Sequence, residues 1–359
     1  MDQLFQTING IPVIGLIAQL IGYLVQELPF LSHAAVSISI PIIFAALCGV
    51  VCERSGVVNI GLEGIMLTAA FVGWVVGVLA QQVLGHGDPT AIFGFTLPLI
   101  IALIAAILAG MLLSLLHAWL AISVRADQII SGTIINIIAL GLTGYLISLI
   151  SKSSPRGAGS FSPLQIPQNI QDVPLVGWLI NAVFGQGPIA ITAIVITVLL
   201  QLLLFRSRWG LRTRSVGEHP KAAETVGIDV IKLRYRNVVA GGALAALGGA
   251  YLSMEITNSF QPGMTQGRGF IGLAAMIVGR WTPLGAMGAA LIFGSSLAIS
   301  QSVTFAPPTG SLGDLMAKIP GQFYSALPYL VTIVILAGLI GRSTPPAADG
   351  QPYTREATT

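Results

Sequence analysis

The chain has 359 residues, 54% of them hydrophobic and only 9% charged, with a formal net charge of +3. A soluble domain carries about a quarter charged residues, so this composition excludes a water-covered globular surface. The small net charge gives no footprint for nucleic acid. Mean hydropathy is +0.84, and runs such as Leu97 to Ala121 reach the roughly 20 apolar residues that a bilayer crossing needs. The expected fold class is all-α: a polytopic membrane protein.

Apolar runs set against polar punctuation predict about ten crossings. In chain order they lie near 11–26, 33–51, 62–80, 97–121, 127–150, 187–205, 234–257, 270–281, 284–303 and 325–341. The first is short and carries Pro12, Gln19 and Gln26; the eighth is short enough for a half-helix or re-entrant segment. The first basic residue is Arg54, so the start lacks the positive region of a cleavable signal peptide.

With both termini inside, thirteen basic residues fall inside. They run from Arg54 and Arg125 through the cluster between Arg206 and Arg236 to Arg280, Arg342 and Arg355. Four fall outside: Lys152, Arg156, Arg268 and Lys318. The expected localisation is the plasma (inner) membrane, multi-pass, and the asymmetry predicts that the long charged loop and the C-terminus are cytoplasmic.

The expected organisation is an N-terminal segment 1–32 and a first transmembrane half 33–150. An extracytoplasmic loop 151–186 follows, then a span with its cytoplasmic loop (187–233). A second transmembrane half 234–341 precedes a Pro-rich tail 342–359, whose composition predicts disorder. Ile60-Gly61-Leu62 is echoed by Ile271-Gly272-Leu273, a faint sign of an inverted repeat.

Cys48 and Cys52 read as small buried hydrophobes; no further ligands stand near them in sequence, so no metal site and no disulfide framework is expected. Just beyond them, Glu53, Arg54, Gly56, Asn59, Gly61, Glu63 and Gly64 crowd the point where one span ends and the next begins. The glycines permit a sharp reversal or close packing. Glu53, Arg54 and Glu63 would form an ion-pair and capping network holding a broken helix. Alternatively, Asn59 and Glu63 line the translocation path or its gate, since a carboxylate at membrane depth is costly without a role.

Asn136, Glu255, Asn258, Gln261 and Gln301 read mainly as interhelical hydrogen bonds, with Glu255 and Asn136 also candidates for the path. Trp74, Trp119 and Trp281 read as interfacial anchors.

In the cytoplasmic loop, Glu218, His219, Pro220, Lys221, Ala222, Ala223 and Glu224, closed by Gly227, predict a helix of about seven residues, with Pro first and Gly just past the end. So short a helix is not stable alone and needs its flanks or a partner. Ala222 and Ala223 would give it a small flat face.

This stretch, Arg-Ser-Val-Gly-Glu-His-Pro-Lys-Ala-Ala-Glu-Thr-Val-Gly-Ile, resembles the coupling-helix region of permeases in the branched-chain amino acid, ribose and nucleoside ABC import family. The run Glu-Arg-Ser-Gly-Val-Val-Asn-Ile-Gly-Leu-Glu-Gly-Ile-Met resembles the nucleoside and simple-sugar branch, in particular its shorter permease. The resemblance covers about Ala34 to Arg342. It implies an alternating-access permease partnered by a second permease subunit, an ABC ATPase and an extracytoplasmic substrate-binding protein, with membrane lipid around it and no cofactor.

No phosphate loop accompanies any of the four lysines, no His-Glu-x-x-His pair occurs and no Gly-x-Ser-x-Gly elbow is present. The chain is thus expected not to be an enzyme, with ATP hydrolysis on a separate subunit. The competing reading is an ion-coupled secondary transporter using intramembrane carboxylates such as Glu63 and Glu255.

Overall fold

The computed structural model describes residues 12–85, 94–150, 159–171, 173, 176–316, 318–334 and 343–354. Among them every regular element is a helix and no strand occurs. In chain order these are α1 (Pro12–Glu53), α2 (Leu62–Leu84), α3 (Leu97–Ala118), α4 (Gln128–Ile150), α5 (Gln168–Gln171), α6 (Val176–Phe184) and α7 (Pro188–Arg206). There follow α8 (Arg208–Glu218), α9 (Pro220–Thr225), α10 (Val230–Tyr251), α11 (Arg268–Val278), α12 (Pro283–Phe305), α13 (Ser311–Met316) and α14 (Gly321–Val334). Two helices widen at their ends into π-turns, α3 at Trp119–Val124 and α10 at Leu252–Ile256.

Among the described residues seven helical stretches are long and apolar enough to cross a membrane: Val25–Glu53, Leu62–Leu84, Leu97–Val124, Gln128–Ile150, Pro188–Arg206, Val230–Ile256 and Pro283–Phe305. The other three expected crossings differ in distinct ways. Segment 11–26 is not a separate helix, because α1 runs unbroken for 42 residues through 33–51. Segment 270–281 is α11, whose 11 residues rise only about 16 Å, half a bilayer. Of segment 325–341, only the part within α14 is described; the remainder lies outside the described residues. Ile60-Gly61-Leu62 immediately precedes the body of α2, whereas Ile271-Gly272-Leu273 sits inside α11.

The chain divides into two compact units. The smaller comprises 1–39, 165–185 and 291–339. Within it the Tyr23 hydroxyl donates to the Ala306 carbonyl at 3.0 Å, and Gln19 Oε1 accepts from the Ser311 hydroxyl and the Leu312 amide.

The larger unit comprises 40–164, 186–290 and 340–359, and its core is built on α2, α3 and α10, which pack most extensively on one another. Small residues make that packing possible. A Cβ on Gly242 would stand 2.1 Å from Ser114 Oγ, and one on Gly241 2.8 Å from Cys52 Sγ. Here glycine lets backbones approach in an environment where lipid removes any hydrophobic drive between helices. Cys48 and Cys52 are free and fully buried beside α10. The outer faces of α3, α4 and α7 remain apolar and exposed, for example at Leu112, Ile137 and Leu202, as contact with lipid requires.

Two of the expected interfacial tryptophans are buried instead. Trp74 packs beside Phe260, and Trp281 is bonded inside the protein; Trp119 alone of the three is exposed. Of the Pro-rich tail 342–359, Arg342 and residues 355–359 lie outside the described residues. Residues 343–354 are folded onto the body of the larger unit, burying Ala348 and Tyr353. Composition misses this because the contacts that fix the segment to the body, from Gly217, Glu218, Glu224, Arg234 and Ile277, are supplied by distant residues.

Candidate functional site

The glycine-rich run between α1 and α2 is a reversal of the chain. Gly56 takes a left-handed backbone (φ 83°), and an added Cβ would stand 2.5 Å from Arg234 Nη2, so only glycine fits. Residues Val57 to Asn59 are non-helical and entirely inside the protein apart from a half-buried Val58. Irregular backbone at membrane depth is tolerated only when the protein itself satisfies its polar groups.

Side chains do so here. The Val58 amide donates to Gln128 Oε1 at 2.8 Å, and His117 Nε2 donates to the Val58 carbonyl at 2.9 Å. Asn59 Oδ1 accepts from the Gly61 amide at 3.1 Å. Asn136 closes the bracket: its Nδ2 donates to the Ile60 carbonyl at 2.9 Å while its Oδ1 accepts from the Gly64 amide at 2.7 Å. Gly64 matters for this approach, since a Cβ there would stand 2.9 Å from the Asn136 backbone.

Glu53, Arg54 and Glu63 do not form the mutual network expected of them; they reach three different places. Glu53 Oε2 accepts from the Trp281 indole at 2.6 Å. Arg54 donates from Nε to the Trp281 carbonyl and from Nη2 to the Arg280 carbonyl, at 2.9 and 3.2 Å. Both of those residues hold left-handed backbone (φ 51° and 55°), a strained turn between α11 and α12 that Arg54 clasps. Burial holds the Arg54 guanidinium below its ordinary value, and Glu218 nearby draws it back up.

Glu63 caps α11. Its two oxygens accept from the Gly267 and Gly269 amides, each at 2.7 Å. Glu255 does the same for α7, accepting from Ile189 at 2.8 Å and Ala190 at 3.3 Å. A carboxylate at a helix N-terminus satisfies otherwise orphaned N–H groups and meets the positive end of the helix dipole. Glu63 and Glu255 are thus both committed to backbone.

Of the four residues expected along a path, the structure brings two together. Glu63 and Asn136 line one cavity of about 460 Å³, with Thr133, Gln266 and Phe270 among its walls. Asn59 is fully buried in the turn, its Nδ2 beside both cysteine sulfurs, and lies away from that cavity. Glu255 also lies elsewhere, at the head of α7.

The charged loop folds into α8 and α9. Pro220 occupies the first position of α9, and Gly227 lies beyond its end at φ 82°. Ala222 and Ala223 do not share a face. Ala223 is buried with Val216, Val230 and Tyr353, while Ala222 is exposed together with Glu218, His219, Lys221 and Val226. Adjacent helical positions are 100° apart, which separates the two alanines. The folded tail meets this loop: the Ala348 amide donates to the Gly217 carbonyl and the Ala347 amide to Glu218 Oε2. Asp349, beside Glu53 and Arg234, is raised to about 6 by burial, against the opposing pull of those neighbours and the Gly350 amide.

His117, Gln128 and Trp281 were not singled out for the reversal by sequence, although all three hold it. A lone His and a lone Gln in apolar spans were the available signal, since polar groups there must find partners. Among the described residues no group of three or more His, Cys, Asp or Glu is placed to hold a metal ion.

Comparison with known proteins follows the same outline. The guanosine ABC transporter permease NupQ of Bacillus subtilis is 40% identical over 335 residues, 92% of this chain and 98% of the relative. The nucleoside ABC transporter permease NupC of Lactococcus lactis subsp. cremoris is 36% identical, covering 88% of this chain and 94% of the relative. A putative glucose ABC transporter permease of Haloferax volcanii, TsgC13, is 33% identical over 91% of this chain and 98% of its own length. The profile of the family described as branched-chain amino acid transport system / permease component matches residues 32–339, so that with these relatives the chain belongs to that permease family.

Proposed function

We propose that this protein is the transmembrane permease subunit of an ABC importer, forming the path for a nucleoside, or after that a simple sugar, and driven by an ATPase on another chain. The observation that carries the reading is the 40% identity to the guanosine permease over 92% of this chain, alongside the family match over 32–339, which takes in both the reversal at 54–61 and the loop at 218–227. The geometry adds a reason to set aside ion-coupled transport. Glu63 and Glu255 are each occupied by two backbone amides, so neither stands ready as a carrier of protons or sodium.

On this reading Glu63 and Asn136 border the path, and the turn 54–61 with its partner turn at Arg280 and Trp281 forms the gate below it. The exposed edge of α9 (Glu218, His219, Lys221, Ala222) receives the ATPase, with Pro220, Ala223, Glu224 and Gly227 shaping the helix. The loop and the C-terminus face the cytoplasm; the basic cluster 206–236 supports this, and contacts from residues 343–354 to Gly217 and Glu218 support both lying on one side. α11 is a re-entrant half-helix, and the apolar composition of 325–341 supports a further crossing there. A second permease subunit completes the path. Its support is that the organisms of the two most similar relatives named above also hold NupP and NupB, each similar to this chain. A substrate-binding protein delivers cargo from outside.

The test reverses charge on α9 with Glu218→Lys, Lys221→Glu and Glu224→Lys together. ATPase co-purification and nucleoside uptake into vesicles should both be lost. Intact assembly and uptake would sink the docking role.

A further inference from the structure

We propose that residues 343–354 are a strap that positions α9 for coupling, with Tyr353 as its positioning residue. The proposal rests on the reading of α9 as the ATPase contact. α9 has six residues and cannot hold its own conformation. The strap grips it at both ends. At the leading end the Ala348 amide donates to the Gly217 carbonyl at 2.8 Å, and the Ala347 amide to Glu218 Oε2 at 3.2 Å. At the trailing end the Tyr353 hydroxyl donates to the Glu224 carboxylate, while the ring covers Ala223, Val216 and Val230.

The same strap is tied to the ends of other helices. Arg234, fully buried at the start of α10, donates from Nη1 to the Gln351 carbonyl and from Nε to the Ser55 carbonyl, both at 3.0 Å. Its guanidinium also lies 6.0 Å from the Tyr353 ring centroid. The Ser343 hydroxyl donates to the Ile277 carbonyl near the end of α11 at 2.9 Å. A continuous set of contacts therefore runs from α9 to the reversal at Ser55 and to the α11 terminus. Without it, α9 keeps the packing of Ala223 on Val216 and Val230 and the links at His219 and Val226 to Asp229, and part of a push on it is absorbed there. With it, the push reaches the reversal at once.

The experiment uses the whole transporter, permeases and ATPase with the binding protein, reconstituted in vesicles. Tyr353→Ala, Tyr353→Phe and a chain ending at Arg342 are compared with wild type. Two readouts are taken: backbone hydrogen exchange across 216–228, and substrate imported per ATP hydrolysed. Tyr353→Ala should speed exchange at 222–228 by roughly tenfold, the scale of losing a hydrogen bond and a packed ring at a locally opening segment. Substrate per ATP should fall several-fold while the ATPase still co-purifies. Tyr353→Phe should move both readouts the same way but less, and the truncation at least as far as Tyr353→Ala. Unchanged exchange in Tyr353→Ala overturns the proposal, as does faster exchange with unchanged substrate per ATP. Exchange that rises equally through α2 and α10 also overturns it, since that marks general loosening. A wild-type chain that recruits no ATPase defeats the docking reading instead, and that result appears before any variant is made.

Discussion

Glu63 offers the sharpest discrimination, because a helix cap and a cargo ligand respond differently to loss of charge. Replacing Glu63 by Gln keeps one carbonyl oxygen but turns an NH₂ group toward an amide that also donates. One of the two 2.7 Å bonds is lost, and the charge facing the α11 dipole goes with it. A hydrogen bond to a charged group contributes about 1.5–3 kcal/mol and a terminal charge about 0.3–2 kcal/mol. Glu63→Gln should therefore destabilise by about 2–5 kcal/mol, and Glu63→Ala, which removes both bonds and the charge, by about 3–8 kcal/mol. At roughly 2 °C or more per kcal/mol in a chain of this size, the Gln variant should melt roughly 4–10 °C lower. Thermal unfolding of the detergent-purified complex measures this, and exchange at the Gly267 and Gly269 amides localises it. An unchanged melting temperature with abolished uptake would refute the cap argument and make the carboxylate a partner of the cargo.

Glu255→Gln should lower the melting temperature in the same way, with faster exchange at Ile189 and Ala190. The double variant with Glu63→Gln should be additive to about 0.5 kcal/mol, since the two caps share no partner. Gly56→Ala, which forces a side chain into left-handed backbone against Arg234, should cost at least about 1–2 kcal/mol and reduce expression. Its control is Gly144→Ala in α4, where nothing lies within 4 Å of the added carbon; there the change should stabilise by about 0.5–1 kcal/mol, read as a rise in melting temperature. Strap docking should depend on pH through Asp349, faced by Glu53, Arg234 and the Gly350 amide. Its folded value near 6 lies above the ordinary 3.8, so proton uptake favours the folded strap. Protease protection of residues 343–354 should be strongest below about pH 4 and weaken as pH rises through about 6, and Asp349→Asn should flatten that profile.

Much was legible in order along the chain because its signals are local. Membrane insertion follows from composition and run length, and the short helix at Pro220 follows from its own Pro and Gly. The reversal at 54–61 was visible as glycine crowding inside an apolar stretch. What each polar residue there does was not visible, because its partners stand far away in sequence. Glu53 meets Trp281, Glu63 meets Gly267 and Gly269, and His117 meets Val58. Asn59 and Glu63 read alike as path residues on spacing; folding sends one into the turn and the other to a cavity wall.

The sequence by itself determined that the protein lives in lipid, the bounds of most of its long spans to within a few residues, and which loop carries the charge. Those are consequences of transfer energies, which each segment meets alone. Tertiary structure alone decided that Glu63 and Glu255 cap helices and that residues 343–354 fold onto the rest of their unit. Both depend on hydrogen bonds between segments remote in the chain, and in a medium without water each backbone group takes whichever partner folding brings to it.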